Sequence, residues 1–256
     1  MASAPSVEPN MRDYEEARRT FRWDVPEYYN FAVDTIGKWA ADPASPGMVH
    51  IDHEGRERTI TFAEFAQRSD RLASALRQHG IGPGDRVLVV LPRVPEWWEA
   101  ILGIMKVGAI SLPGTTLLRP RDLEYRINAS GAKGIITDPE VAARVDEVAG
   151  SCPTLTVPIV VGGERDGWIS YDAALAEASA DFTPVRTRSD DPCMLYFTSG
   201  TTAHPKMVLH THASYPIGHL VTGRFWLDLR PGDLHWNLSD NGWAKAAWSS
   251  LFGPWS

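Results

Sequence analysis

A chain of 256 residues, 43% hydrophobic and 22% charged, is long enough to bury a sizeable core and has the composition of a globular protein. Its net charge of −7, with no basic run or RNA-binding motif, excludes a nucleic-acid surface as the organising function. Cys152 and Cys193 suggest neither a disulfide framework nor a Cys-x-x-Cys metal site, and no apolar run approaches the roughly 18 residues of a membrane span. The start, Met-Ala-Ser-Ala-Pro-Ser, has no charged-then-apolar signal and no Arg-rich presequence, so a reduced, cytoplasmic protein is expected.

Residues 1–20 carry Glu15, Glu16, Arg18 and Arg19 and are expected to fray or form a short surface helix, a flexible segment ahead of one domain over 21–256. Phe31, Ile36 and Trp39 share a face, which predicts a helix over 28–39. Alternation over 48–52, a turn at Asp52–Gly55 and a return over 59–61 predict a hairpin. Thr61 and Glu64 form a capping box for a helix ending at His79 before Gly80, with Phe62, Phe65, Leu72, Ala73 and Leu76 as its buried stripe.

An apolar strand follows at 87–91. Pro95 opens a helix burying Trp97, Ile101, Leu102 and Met105. A strand at 109–112, a helix over 120–130, a strand at 134–137, a helix over 138–149 and a strand at 157–161 repeat the pattern. Short apolar strands alternating with helices of about a dozen residues predict an α/β fold: β-α-β units in layered, mostly parallel sheets covered by helices. Residues 162–187 are expected to be a connection with one short helix.

The strand 193–197 leads into Thr198, Ser199, Gly200, Thr201 and Thr202, four hydroxyls around a glycine, and then into His204, Pro205 and Lys206. Glycine admits close backbone approach, hydroxyls rotate to suit, and the lysine adds a mobile cation. Hydroxyls, backbone N–H groups and one lysine on a turn are what a polyphosphate requires. The Walker pattern does not fit, and a Ser/Thr/Gly surface turn has the same composition, so composition alone leaves both readings open. His210 and His212 alternate as a zinc pair can, but no Asp, Glu or Cys cluster accompanies them, and no metal site is expected.

The order Tyr196-Phe197-Thr198-Ser199-Gly200-Thr201-Thr202 followed by Pro205-Lys206 resembles the signature of the adenylate-forming acyl-CoA synthetases. Residues 22–32, 90–98, 113–116, 223–229 and 236–245 are similar to segments of the medium-chain members, and the resemblance runs from about Arg22 to the last residue. It implies the layered N-terminal AMP-binding domain of adenylate-forming enzymes. It also implies activation of a medium-chain fatty or aromatic carboxylic acid with ATP and Mg²⁺ to an acyl-adenylate, then thioester formation with coenzyme A. Thr198, Ser199, Gly200, Thr201, Thr202 and Lys206 would bind the β- and γ-phosphates of ATP. Asp240, Gly242 and Trp243 would border the acyl and pantetheine pocket. From residue type alone a core role is the stronger reading of Trp243, in a region that holds Trp226, Trp236, Trp248 and Trp255, and it is the resemblance that favours the pocket.

Two departures qualify the resemblance. Ala203 stands where the family has glycine, at a cost of about 1 kcal/mol if that residue needs φ > 0. The later family motifs are not matched: the glutamate that coordinates Mg²⁺, the ribose-binding aspartate, the hinge and the catalytic lysine. The expectation is therefore a partial N-terminal domain with the C-terminal domain absent and no catalytic residue in the chain. The alternative is a non-catalytic remnant or a weak nucleotide-phosphate-binding module. Either form is expected to expose apolar surface over 243–255 and to associate non-specifically there.

Overall fold

Short buried strands alternating with amphipathic helices build a seven-stranded sheet in a computed structural model that describes residues 8–198 and 204–256. Helix α1 (Tyr14–Thr20) lies on the surface, capped by the Asp13 side chain, which accepts from the Glu16 N–H. The helix expected over 28–39 begins later, as a π-helical turn Phe31–Thr35 running into α2 (Ile36–Ala40). Asn30 sets that boundary. Its Oδ1 accepts from the Ala32 N–H while its Nδ2 donates to Met105 O at 2.8 Å, so the residue serves as a cap rather than a helical position.

Strands β1 (Pro46–Ile51) and β2 (Glu57–Thr61) form a separate antiparallel pair. The capping box at the start of α3 (Phe62–Gln78) is complete: Glu64 N–H donates to Thr61 Oγ1 at 3.1 Å, and Thr61 N–H donates to Glu64 Oε2 at 2.8 Å. Its predicted apolar stripe is buried. Next come β3 (Arg86–Val90), α4 (Pro95–Lys106), β4 (Ile110–Pro113), α5 (Pro120–Ser130), β5 (Gly134–Thr137), α6 (Pro139–Asp146) and β6 (Val157–Val160). The connection after β6 holds a two-residue strand, β7 (Ile169–Ser170), that has no signal of its own, and the short helix α7 (Tyr171–Glu177).

The hairpin β8 (Pro192–Thr198) and β9 (Lys206–Thr211) completes the sheet, in the order β7-β6-β5-β3-β4-β8-β9. All neighbouring pairs are parallel except β8 with β9. One buried cluster, with Trp97, Phe65 and Phe252, fills one side of the sheet, and a second, with Leu88, Leu112 and Ile135, fills the other.

Past β9 the chain forms π-helical turns at Ala213–Ile217, Thr222–Trp226 and Trp248–Phe252, with short helices α8 (Ala244–Ala247) and α9 (Gly253–Trp255). The expectation of an apolar surface over 243–255 holds only for its first residue. Ala246, Ala247, Leu251, Phe252 and Trp255 are buried, because Trp255 inserts between α2 and α3, donating to Gly47 O and accepting at its own carbonyl from the Trp39 indole. Exposed apolar groups lie upstream instead, at Trp226, Leu234, Trp236, Leu238 and Trp243, and along β9 at Met207 and Leu209. Among the described residues no helix is long and apolar enough to cross a membrane.

Two polar features inside this fold control stability. Glu99 on α4, 2% exposed, accepts from Arg68 Nε at 2.5 Å and from the Tyr171 hydroxyl at 2.7 Å, joining three helices. Burial raises the Tyr171 phenol far above its ordinary value and Glu99 adds to the effect, so the hydroxyl remains a donor. Replacing Glu99 by Gln leaves the Arg68 charge without its counterion and is expected to cost about 2 kcal/mol in urea unfolding. Arg56→Gln, at the exposed Arg56–Asp52 pair, is expected to leave the urea midpoint nearly unchanged. Equal costs would mean that the buried network adds nothing special.

The second feature is His212, 1% exposed, whose pKa burial lowers to about 4, with Asp191 opposing the shift. A base whose folded pKa lies below its unfolded value favours folding above the unfolded pKa and loses that contribution as pH falls. Between pH 7 and pH 5 this one group is expected to remove about 2 kcal/mol of stability, and His212→Asn should flatten that part of the profile. Identical pH slopes for the two proteins would contradict the assignment.

Candidate functional site

The parallel direction of β3, β4 and β8 puts their carboxyl ends on one edge of the sheet, and the predicted site residues gather there. Strands β3 to β7 follow the order 2-1-3-4-5, whose reversal lies between β3 and β5. The β8–β9 hairpin sits on the same edge but two strands from that reversal, beyond β4.

Thr198 and Lys206 are directly opposed across the hairpin, and Thr198 Oγ1 lies 3.4 Å from Lys206 O. Directly opposed residues of an antiparallel pair point their side chains to one face, so the hydroxyl and the ammonium stand together. Lys206 is exposed, and among the described residues its ammonium has no ion-pair partner. Ser199, Gly200, Thr201 and Thr202, together with Ala203, lie outside the described residues.

What holds the exit of the loop is described. Tyr125 of α5 donates its hydroxyl to Pro205 O at 3.0 Å and stacks on His204 with ring centroids 4.8 Å apart. Its neighbour Arg126 lies over the Phe197 ring at 4.7 Å, and burial lowers the Arg126 pKa from its ordinary value. Helix α5 thus braces both sides of the hairpin mouth. Sequence reasoning missed Tyr125, because a hydroxyl aimed at a backbone carbonyl eighty positions away leaves no local pattern.

The segment 240–243 is locked to the ends of β3 and β4. Asn241 Nδ2 donates to Pro92 O at 3.2 Å, and Thr115 Oγ1 donates to Asp240 Oδ2 at 3.1 Å. Asp240 Oδ1 accepts from the Gly242 N–H at 2.8 Å, so one carboxylate oxygen is engaged within the turn and the other by the loop after β4. Gly242 passes so close to the next loop that a Cβ there would stand 2.0 Å from Thr115 N and 2.4 Å from Gly114 C. No side chain fits. Here glycine is required by close backbone approach, not by a left-handed backbone.

Trp243 projects from this locked turn and is 66% exposed, so it is not a core residue among the described groups. Its ring offers an open apolar face beside the sheet edge. Thr115 and Asn241 are further residues that the sequence reading did not single out; the Gly-Thr-Thr run at 114–116 was the signal that could have found the first.

His210 and His212 do not form a metal pair: His210 packs against Tyr196 and Tyr215, while His212 lies buried at the start of the next turn. Among the described residues no group of three His, Cys, Asp or Glu side chains could hold a metal ion.

The chain matches the AMP-binding enzyme family over residues 38–253. It is 41% identical over 254 residues to the mitochondrial acyl-coenzyme A synthetase ACSM3 of Homo sapiens, covering 96% of this chain and 43% of that protein. With the mitochondrial acyl-coenzyme A synthetase ACSM5 of Homo sapiens it shares 42% over 239 residues, covering 90% and 41%. The chain thus spans less than half the length of the curated relatives it matches. Among solved structures, it superposes on a Brucella canis acyl-CoA synthetase with a TM-score of 0.83 at 29% identity, covering 94% of this chain and 46% of that one. The anthranilate CoA ligase AuaEII, solved with anthranoyl-AMP, gives 0.81 at 28% identity, covering 91% and 44%.

These structures share the mostly parallel, helix-covered sheet expected from the strand and helix pattern. The cytoplasmic expectation is overturned: the curated relatives are mitochondrial enzymes by name, and the missing presequence pattern on which that expectation rested does not specify a destination. The chain belongs to the AMP-binding enzyme family, and its curated relatives within that family are acyl-coenzyme A synthetases.

Proposed function

We propose that this chain supplies the ATP-phosphate hairpin and one wall of the acid pocket in an AMP-forming acyl-CoA synthetase that activates a medium-chain fatty or aromatic carboxylic acid. The observation that carries the reading is the juxtaposition of Thr198 and Lys206 on one face of a hairpin that opens at the sheet edge where segment 240–243 is locked. The names of the relatives support the reaction class, and the anthranoyl-AMP bound by one structural neighbour supports an aromatic acid among its substrates. The same relatives support a mitochondrial setting.

In the first half-reaction a carboxylate oxygen forms a bond to the α-phosphorus of ATP while the bond to the β-phosphate bridge oxygen breaks and pyrophosphate leaves. In the second, the coenzyme A thiol, losing its proton, attacks the acyl carbon and AMP departs. Lys206 and the hydroxyls and N–H groups of residues 198–202 would take the negative charge that collects on the departing phosphates. Trp243 would cover the acid with a flat apolar wall, excluding water from the adenylate. Asp240 acts through shape, since Thr115 and Gly242 occupy its oxygens.

Carboxylate-dependent ATP–pyrophosphate exchange tests the reading, with octanoate or benzoate as the acid. Lys206→Ala is expected to lower the exchange rate roughly 10- to 100-fold, the value of one charge-assisted hydrogen bond. Protection of the chain by ATP without acid-dependent exchange would favour a phosphate-binding module instead.

Gly242→Ala must push apart the 114–115 backbone, so it is expected to raise the KM for the acid at least about tenfold while the KM for ATP moves less than about threefold. Equal shifts in both KM values would remove the 240–243 segment from the acid side.

A further inference from the structure

Tyr215 stands between the phosphate hairpin and the acid-side segment. It lies on the π-helical turn that follows β9 and is 3% exposed. Its ring meets Tyr196 of β8 at 5.3 Å, His210 of β9 at 4.8 Å, His219 at 4.5 Å and Phe252 at 5.4 Å. At its far end the hydroxyl donates to Ala244 O at 2.5 Å, and Ala244 is the residue immediately after Trp243.

Strand alternation completes the link. Tyr196 shares a face of β8 with Thr198, and His210 shares a face of β9 with Lys206. Because Thr198 opposes Lys206, all four side chains leave the hairpin on the side where Tyr215 packs. His219 extends the column by stacking on Trp248 at 5.5 Å, with its Nδ1 3.1 Å from Thr222 Oγ1. Burial raises the Tyr215 phenol above its ordinary value and lowers both histidines, His219 to about 4, so the column is uncharged at neutral pH and the hydroxyl keeps its proton.

We propose that Tyr215 is a positioning residue that fixes the segment 240–243 relative to the phosphate hairpin, so that a change at either end is transmitted to the other. What the two ends bind rests on the functional reading above; that they are mechanically joined does not. The chemical reason is proximity: carboxylate and α-phosphorus react only when two half-sites on different elements are held in register, and a misplacement of about 1 Å can cost about a hundredfold in rate. A tyrosine suits the task because it has few torsions and anchors at both ends, by ring packing at one and by a hydrogen bond at the other.

Tyr215→Phe tests the link with little risk to folding, since Ala244 O also accepts from the Trp248 N–H and the ring contacts remain. In the ligand-free chain, amide hydrogen exchange is expected to speed up about tenfold in both 240–248 and 206–211, with β3 and β5 unchanged. In the pyrophosphate-exchange assay the same variant should lose about tenfold in kcat while both KM values stay within about threefold.

A reciprocal variant on the hairpin side, His210→Asn, should speed amide exchange in 240–248 although it lies on β9. It also decides the matter should Tyr215→Phe fold poorly. Unchanged protection in the segment remote from each substitution would overturn the proposal, as would an unchanged kcat in Tyr215→Phe. A wild-type chain that gives no pyrophosphate exchange would count against the functional reading alone, because the amide-exchange measurement still settles whether the two segments are joined.

Discussion

The parallel pairing of β8 with β4 is the constraint on which the functional end depends. Ser111 and Met194 mark the register, and the direction of β8 decides where the loop after Thr198 opens. An antiparallel β8 would release that loop at the opposite edge, away from Pro92, Gly114 and Thr115. Once β8 runs parallel, the return strand β9 can pair only antiparallel with it, which leaves β9 as the sheet edge with Met207 and Leu209 facing outward. Among the described residues no strand pairs with the outer side of β9, and an apolar edge is a template for further strand pairing, so the geometry that presents Lys206 also leaves β9 exposed.

The second constraint is steric. Gly242 fits against the 114–115 backbone only because it lacks a side chain, and three hydrogen bonds then hold the turn. With the turn fixed, Trp243 has no freedom to fold back into the core, and its exposure follows from how tightly its neighbours are held rather than from slack in the chain. Trp255 shows the contrast: it has an indole N–H and a carbonyl that find partners on two different elements, so the same residue type becomes a buried wedge.

Much of this was legible in the sequence, and the reason is physical. The core elements follow from periodicity, and the capping box at Thr61 and Glu64 fixes a helix start to the residue because its two hydrogen bonds are local. The strand β8 was legible as an apolar run, and its partner β9 is paired with it directly across the loop. The cap at Asn30 is a local bond to the Ala32 N–H and was legible in principle; only its second bond, from Nδ2 to Met105 O seventy-five positions on, lies outside any local window. Strand β7 escaped because two residues carry no period, and pairing with β6 alone defines them. The depth of Trp255 escaped because it depends on α2 and α3, which no local window contains.

The two residues that best explain how the site is held were illegible for one shared reason. Tyr125 donates to Pro205 O just before β9, and Tyr215 donates to Ala244 O just after the turn 240–243. Each acceptor is a backbone carbonyl, which every residue possesses, so nothing in the acceptor segment advertises the contact. Each donor reaches its target from a helical element packed on the sheet, Tyr125 from α5 on one face and Tyr215 from the turn after β9 on the other. A segment's own residues therefore do not reveal the groups that hold it, and at this sheet edge both of those groups are tyrosines that donate to a backbone carbonyl beside the segment.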